Sequence, residues 1–177
     1  MIKKITSWMG AYSRESDVVV LNDINLIQKH LDDGYRIIGS THSYNRIALH
    51  EKCIKLGEEF NYIYKKDEGV YAVGGACTVL DVMKFILKDE QRLINYGNNF
   101  TQNFCGAALG GTHGFGENAL VADCILNIKT ADGNVHTDLS KVNFDAVEVI
   151  IKTLPITQYE VLNCVCKLSE LMKDKND

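Results

Sequence analysis

The chain has little of what marks a disordered, secreted or membrane-spanning protein. It has one proline among 177 residues and 46% hydrophobic residues, a composition typical of a globular domain. No segment reaches the roughly 18 uninterrupted apolar residues of a membrane span. The basic start, residues 1–8, lacks the sustained apolar core of a signal peptide. We therefore expect one soluble, cytoplasmic domain without a membrane partner.

The chain also lacks a basic surface and a metal-like cysteine pattern. Its net charge is −4 and no basic stripe is evident, which argues against nucleic acid as a partner. Its six cysteines are scattered, and none form Cys-x-x-Cys pairs with the spacing of zinc sites. We expect reduced, mostly buried thiols and no metal site.

The hydrophobic pattern predicts alternating strands and helices. The chain begins with a β-α-β unit, in which a helix capped by Asn22 and ending near residue 31 connects strands at residues 18–21 and 35–39. Further helices are predicted at residues 79–87, capped by Thr78, and at 144–151. Residues 173–177 are expected to form a solvated tail. Further strands are predicted at residues 53–56, 62–65, 70–73, 121–130, 135–137 and 156–165.

Two short elements rich in glycine and small residues carry the functional signal. The first, Gly39-Ser40-Thr41-His42-Ser43, follows an apolar run and is predicted to be a tight turn after a buried strand. Free amide groups of such a turn form a natural cradle for phosphate. The second element, residues 106–114, again combines small residues with a histidine. Its backbone is therefore expected to lie in close contact with a neighbouring group.

In order and spacing these residues resemble the FAD-binding domain of the vanillyl-alcohol oxidase type (PCMH type), and within it the sugar-1,4-lactone (aldonolactone) oxidases. Members typically show Val-Gly-x-Gly-His-Ser, then Ala-Gly-x-x-x-x-Gly-Thr-His-Gly, then a strand ending in Thr-Ala-Asp-Gly. The counterparts here are residues 38–43, 105–114 and 130–133. Trp8 and the strand end at residues 73–76 also fit, so the resemblance covers about residues 8–165.

The resemblance implies an α+β fold with two subdomains and FAD extended between them. A small β-α-β unit would occupy about residues 1–60, and a mixed or antiparallel sheet with helices about residues 61–165, followed by a tail at 166–177. The cofactor-binding residues that it implies are Ile38, Gly39, Ser40, Thr41, His42, Ser43, Gly106, Ala107, Gly110, Thr112, His113, Gly114 and Ile156.

Two of the residues are candidates for a covalent bond to the flavin. His42 stands where many aldonolactone oxidases carry such a bond, although some relatives lack the histidine and bind FAD reversibly. The alternative is a turn histidine that bonds a neighbouring carbonyl group. Cys105 follows His42 at a sequence distance similar to that between the flavin-linked histidine and the flavin-linked cysteine of berberine bridge enzymes. The alternative interpretation is that Cys105 is a small buried hydrophobic residue. The second glycine element could also be shaped by packing alone.

The departures from the family concern the second half of the chain. Residues 144–159 lack the glycines that usually touch the cofactor there. Family oxidases continue into a substrate domain with a His-Trp-Lys motif, whereas Trp8 is the only tryptophan here. We therefore expect a homodimer partner or a separate chain to supply the substrate half, and the catalytic residues stay unknown.

Three functions compete. The first is a flavoprotein oxidoreductase domain that acts on a sugar, lactone or alditol. The second is a module that holds FAD or a related nucleotide without turnover, and the third is a degenerate member that acts by protein association. The retained glycines and histidines favour the first two.

Overall fold

Two β-sheets divide the chain into two subdomains. The computed structural model describes residues 1–43, 46–113, 119–142 and 145–157. In the first sheet the strand order is β1-β2-β4-β3, with β1 antiparallel to β2 and the other neighbours parallel. Its strands are β1 (Ile2–Thr6), β2 (Ser13–Leu21), β3 (Arg36–Ile37) and β4 (Lys52–Leu56). Strand β1 is an addition to the predicted β-α-β start.

Helix α1 (Ile24–Asp32) connects β2 to β3, as the pattern predicts. Its N-cap is Asp23, whose carboxylate accepts a hydrogen bond from the Asn25 N–H at 2.8 Å. Asn22, the predicted cap, instead accepts a bond from the backbone N–H of Glu59. The cap therefore lies one residue later than predicted, and Asn22 instead binds the segment that follows β4.

The second sheet is antiparallel throughout, with the strand order β5-β6-β10-β8-β9. Helices α2 (Val79–Ile86) and α3 (Phe104–Leu109) contribute to the core that covers it. Thr78 caps α2 as predicted, and together with Asp81 it forms a capping box. The remaining strands are β5 (Ile63–Asp67), β6 (Val70–Gly74), β7 (Gln91–Arg92), β8 (Ile125–Thr130), β9 (Val135–His136), β10 (Ala146–Lys152) and β11 (Leu154–Pro155), of which β7 and β11 pair separately.

The prediction of a helix at residues 144–151 is wrong, since this segment contains β10, the central strand of the second sheet. Val149 and Ile151 belong to the main core with α2, while Val147 packs with Ile27 and Ile54 of the first subdomain. The strand is buried among apolar neighbours on both sides, so its apolar residues do not alternate with polar ones and give no period of two to reveal it. The packing of Val147 also joins the two subdomains.

Three other boundaries differ from the predictions. The strand predicted from residue 121 begins at Ile125, after a 3-10 turn at Val121–Cys124. Residues 106–109, expected as part of a glycine-rich loop, belong to α3. Ile156 and Thr157 form no strand, and the rest of the predicted strand at 156–165 lies outside the described residues, as does the predicted tail.

The described part of the chain contains no helix long and apolar enough to cross a membrane. Its four cysteines, Cys53, Cys77, Cys105 and Cys124, are buried and free. Nor do the described residues contain a cluster of three or more His, Cys, Asp or Glu that could hold a metal ion.

Candidate functional site: a cleft between the subdomains

A cleft of about 630 Å³ lies where the two subdomains meet, within the usual size range of ligand sites. Residues 37–43, which follow β3, form what we call the first wall. Residues 106–113, from α3 and the turn after it, form the second wall. The polar segment 98–103 and the residues Trp8, Ile47, Ala48 and His50 complete the lining, to which the segment contributes Asn98, Asn99, Gln102 and Asn103.

The first wall presents backbone donors. Ile38 still belongs to the sheet, since its N–H donates to the carbonyl oxygen of Ile54 at 2.9 Å. Among the described residues, the N–H groups of Gly39, Ser40, Thr41 and His42 have no protein acceptor. Thr41 adopts a left-handed conformation, with φ of 58°, which interrupts the extended chain. Four successive unpaired N–H groups around such a residue suit an anion.

The second wall uses its donors internally. The N–H groups of Gly110, Gly111 and Thr112 donate to the carbonyl oxygens of Gly106, Ala108 and Ala107 respectively. Gly111 has φ of 69°, and a Cβ atom added to it would meet nothing within 4 Å. This wall therefore offers small residues and open space rather than a row of free amides.

The two walls approach each other at Gly39 and Gly106. A Cβ atom on Gly39 would lie 2.9 Å from the Cβ atom of Asn103, closer than real contacts allow. A Cβ atom on Gly106 would lie 3.3 Å from the Asn103 Oδ1 atom and 3.7 Å from the Cα atom of Gly39. Gly39 is thus needed for the close approach of the walls, whereas a side chain at Gly106 would only crowd the Asn103 oxygen. The spacing of the motifs alone did not indicate this reason.

Asn103 links the first wall to the second. Its side-chain oxygen caps α3 by accepting from the Gly106 N–H, and its amide nitrogen donates to the carbonyl oxygen of Gly75 at 2.7 Å. Its backbone N–H donates to the Ser40 hydroxyl at 2.8 Å. The sequence analysis missed Asn103, although an asparagine three residues before a small-residue run is a usual N-cap signal.

His42 lies between the subdomains. The edge of its ring contacts Trp8, with ring centroids 4.5 Å apart and an interplanar angle of 72°. The Nδ1 atom of His42 is 3.3 Å from the Asn99 amide nitrogen. Burial lowers the pKa of His42, so the neutral imidazole predominates near pH 7. Trp8 also holds the turn through its backbone N–H, which donates to the Ser43 carbonyl oxygen at 2.9 Å.

The electrostatic character of the cleft is neutral and rich in donors. None of the described residues that line it is Lys, Arg, Asp or Glu, and the described lining includes the imidazoles of His42, His50 and His113. The side-chain nitrogen of Gln102 is buried without a hydrogen-bond partner. Such a surface does not repel an anion, and its backbone amides can bind one without a cationic side chain.

Eleven of the predicted site residues line this cleft, whereas Cys105 and Ile156 do not. Cys105 lies in the main core with 4% of its surface exposed, and burial raises the pKa of its thiol to about 12. This placement suits a small hydrophobic residue better than a flavin ligand. Ile156 is outside the lining, and its N–H donates to the Glu90 carbonyl oxygen. Gly114 lies outside the described residues.

No family model matches this chain, and no curated protein sequence matches it. Its fold, however, is shared with solved structures. Cholesterol oxidase from Brevibacterium sterolicum superimposes with a TM-score of 0.68 at 12% identity, over 88% of this chain and 37% of that chain. For 6-hydroxy-D-nicotine oxidase from Arthrobacter nicotinovorans the TM-score is 0.61 at 17% identity, over 85% and 39%.

A third similar structure is BBE-like 1 of Physcomitrella patens, with a TM-score of 0.58 at 21% identity over 78% of this chain and 36% of that chain. These similarities confirm the predicted α+β fold of the vanillyl-alcohol oxidase type. At such identities they establish the fold alone. The chain spans somewhat more than a third of the length of the proteins that it matches.

Proposed function

We propose that this chain is a flavoprotein oxidoreductase domain that binds FAD in the cleft between its subdomains. The observation that carries the proposal is the row of unpaired N–H groups at Gly39–His42, placed where the two walls meet. The sequence resemblance places a pyrophosphate at these residues. The fold shared with structures named as oxidases supports the redox assignment.

The residues present fit such a cofactor. Amide donors on the first wall suit a pyrophosphate, and the open surface at Gly111 leaves room beside it. Bound FAD would supply two-electron redox chemistry, which the side chains of the cleft cannot provide. The chain's own part would be to bind the cofactor through the first wall, to orient it against Trp8 and His42, and to exclude water with the second wall.

We further propose, on the resemblance alone, that the substrate is a sugar lactone, a sugar or an alditol. The substrate half would come from a homodimer partner or from a separate chain. Exposed apolar side chains beside the cleft support an association surface: Ile94, Tyr96 and Phe100 are each about two-fifths exposed, and the last two rings lie 5.6 Å apart. Light scattering tests this proposal, and a monomer with no partner chain bound would contradict it.

One observation favours a second candidate, a module that holds FAD without turning over a substrate. Histidines are the only ionisable side chains in the described lining of the cleft, which contains no carboxylate or lysine. Reduction of an artificial electron acceptor by sugar lactones separates the two functions. Turnover above that of free FAD supports the oxidoreductase, whereas tight FAD binding without turnover supports the module.

The first experiment is an absorbance spectrum of the purified protein before and after acid precipitation. Colour in the pellet would indicate covalent flavin through His42, and colour in the supernatant would indicate reversible FAD. A titration of the fluorescence of Trp8, the only tryptophan, then compares FAD with riboflavin. Because hydrogen bonds to charged groups contribute about 1.5–3 kcal/mol each, FAD should bind at least about 100-fold more tightly. Equal affinities for FAD and riboflavin would refute the proposal, as would a colourless protein that does not bind added FAD.

A further inference from the structure

The side-chain amide of Asn99 is held in one orientation. Its Oδ1 atom accepts two hydrogen bonds from Thr101, one from the backbone N–H at 3.0 Å and one from the hydroxyl at 2.8 Å. The backbone N–H can only donate, so the atom that it meets must be the amide oxygen, and the hydroxyl can donate to the same atom. A flipped amide would place an NH₂ group against the Thr101 N–H. The Asn99 nitrogen therefore has to point away from Thr101.

That nitrogen points at His42. The Asn99 Nδ2 atom lies 3.3 Å from the His42 Nδ1 atom, and an amide nitrogen can only donate. His42 Nδ1 must then accept, which requires a bare ring nitrogen at that position. We propose that Asn99 is a positioning residue that fixes His42 as the neutral imidazole with its proton on Nε2, so that His42 meets a ligand as a hydrogen-bond donor.

The surroundings of the ring agree with this assignment. Protonated His42 would carry a hydrogen on Nδ1 and would oppose the Asn99 NH₂ group. Burial also lowers the pKa of His42, and no described residue of the cleft lining is a Lys, Arg, Asp or Glu that could act as a counter-ion. The described lining also contains His50 and His113. The Trp8 ring packs against the imidazole in a T-shaped arrangement.

The inference has a consequence for the cofactor, and only this step depends on the proposed function. A covalent bond needs a free lone pair on one ring nitrogen. Here the Nδ1 lone pair is engaged by Asn99, and Nε2 carries a proton instead. A covalent bond would require either that Asn99 release Nδ1 or that Nε2 lose its proton. We therefore expect Nε2 to donate a hydrogen bond to FAD and the flavin to be released by acid precipitation.

The test is ¹⁵N NMR of the ligand-free full chain, with the His42 signals assigned by their loss in His42→Gln. We expect a protonated Nε2 and a bare Nδ1 in the wild type near pH 7. In Asn99→Asp the carboxylate should accept from Nδ1, which moves the proton to Nδ1 and raises the pKa of His42 by about 1 to 3 units. The matched control is Asn98→Asp, which adds the same charge one residue away and should leave the proton on Nε2.

A wild-type spectrum with the proton on Nδ1 would overturn the inference, whether or not FAD binds. A folded Asn99→Asp variant that keeps the proton on Nε2 would also overturn it. Should that variant not fold, Asn99→Ala serves instead, because it removes the amide that donates to Nδ1. It should populate both tautomers. Since these measurements use ligand-free protein, they are independent of the FAD titration.

Discussion

The two walls of the cleft look alike in sequence but differ in what they present. Both combine glycine and small residues with a histidine. The first wall leaves four successive N–H groups without a protein acceptor, whereas the second uses those of Gly110, Gly111 and Thr112 to close its own helix end. A glycine-rich motif thus indicates a close approach of the backbone, and only the hydrogen-bond pattern shows whether its donors are free.

Because their backbone N–H groups are used differently, the two walls also have different roles. The first wall can bind an anion but has little structure of its own beyond β3, so the second subdomain has to hold it in place. Asn103 provides this support through the Ser40 hydroxyl and through the cap on α3. We therefore expect substitution of Asn103, which joins the two walls, to have a larger effect than substitutions within either wall.

The largest effect is expected for Asn103→Ala. The change removes a helix cap, worth about 1 kcal/mol, and the side-chain bonds to the Gly75 and Cys77 carbonyl oxygens, worth about 1 kcal/mol each. We expect a loss of about 3 kcal/mol in the free energy of unfolding, measured by denaturant titration, together with loss of FAD binding. Asn103→Asp keeps the cap oxygen and should lose less. Equal losses in the two variants would contradict the role of the cap oxygen.

Gly39→Ala should disturb the first wall without removing a hydrogen bond. The added Cβ atom would lie 2.9 Å from the Asn103 Cβ atom and has to push the walls apart, so FAD affinity should fall at least about tenfold. The control is Gly133→Ala, at φ of 85° with open space around it, which costs about 1 kcal/mol of stability outside the cleft. Weaker FAD binding in both variants would trace the effect to stability rather than to the wall.

Much of the first subdomain could be predicted from the sequence, because its features are local. A β-branched run, an amphipathic helix and a small-residue turn each have a short signature, and α1 and the first wall lie where these signatures predict, as does α2 in the second subdomain. The tertiary contacts of the site could not be predicted in this way. Ser40 and Asn103 are 63 residues apart in the chain, and nothing in a polar run such as 98–103 distinguishes a structural asparagine from a loop residue.

The two largest misses, β10 and α3, have one physical cause. Ala146–Lys152 is strongly buried, so its apolar residues lack the alternation of a surface strand. Phe104–Leu109 contains a glycine, which weakens a helix, yet Asn103 and close packing stabilise it. In both segments tertiary burial outweighs the local preference.

A third prediction concerns pH, and it compares His42 with the nearby His50. Burial lowers the pKa of both below the ordinary value of 6.5. As pH falls through 6.5 the unfolded chain binds protons that the folded chain does not, so the free energy of unfolding decreases. Both His42→Gln and His50→Gln should make stability less dependent on pH between 7 and 5, as measured by denaturant titration. An unchanged pH dependence in His42→Gln would show that its imidazole titrates as it does in the unfolded chain.

The smallest effect on the cofactor is expected for Cys105→Ala, a change next to the second wall but on its core side. Cys105 packs among buried residues and does not line the cleft, so the variant should lose about 1 kcal/mol of stability while binding FAD like the wild type. Intact mass after denaturation should show no flavin attached to either protein. A mass increase of one flavin that disappears in Cys105→Ala would instead place the thiol at the flavin. Such a result would require α3 to turn this side chain out of the core, and the division between an anion-binding first wall and a packing second wall would no longer hold.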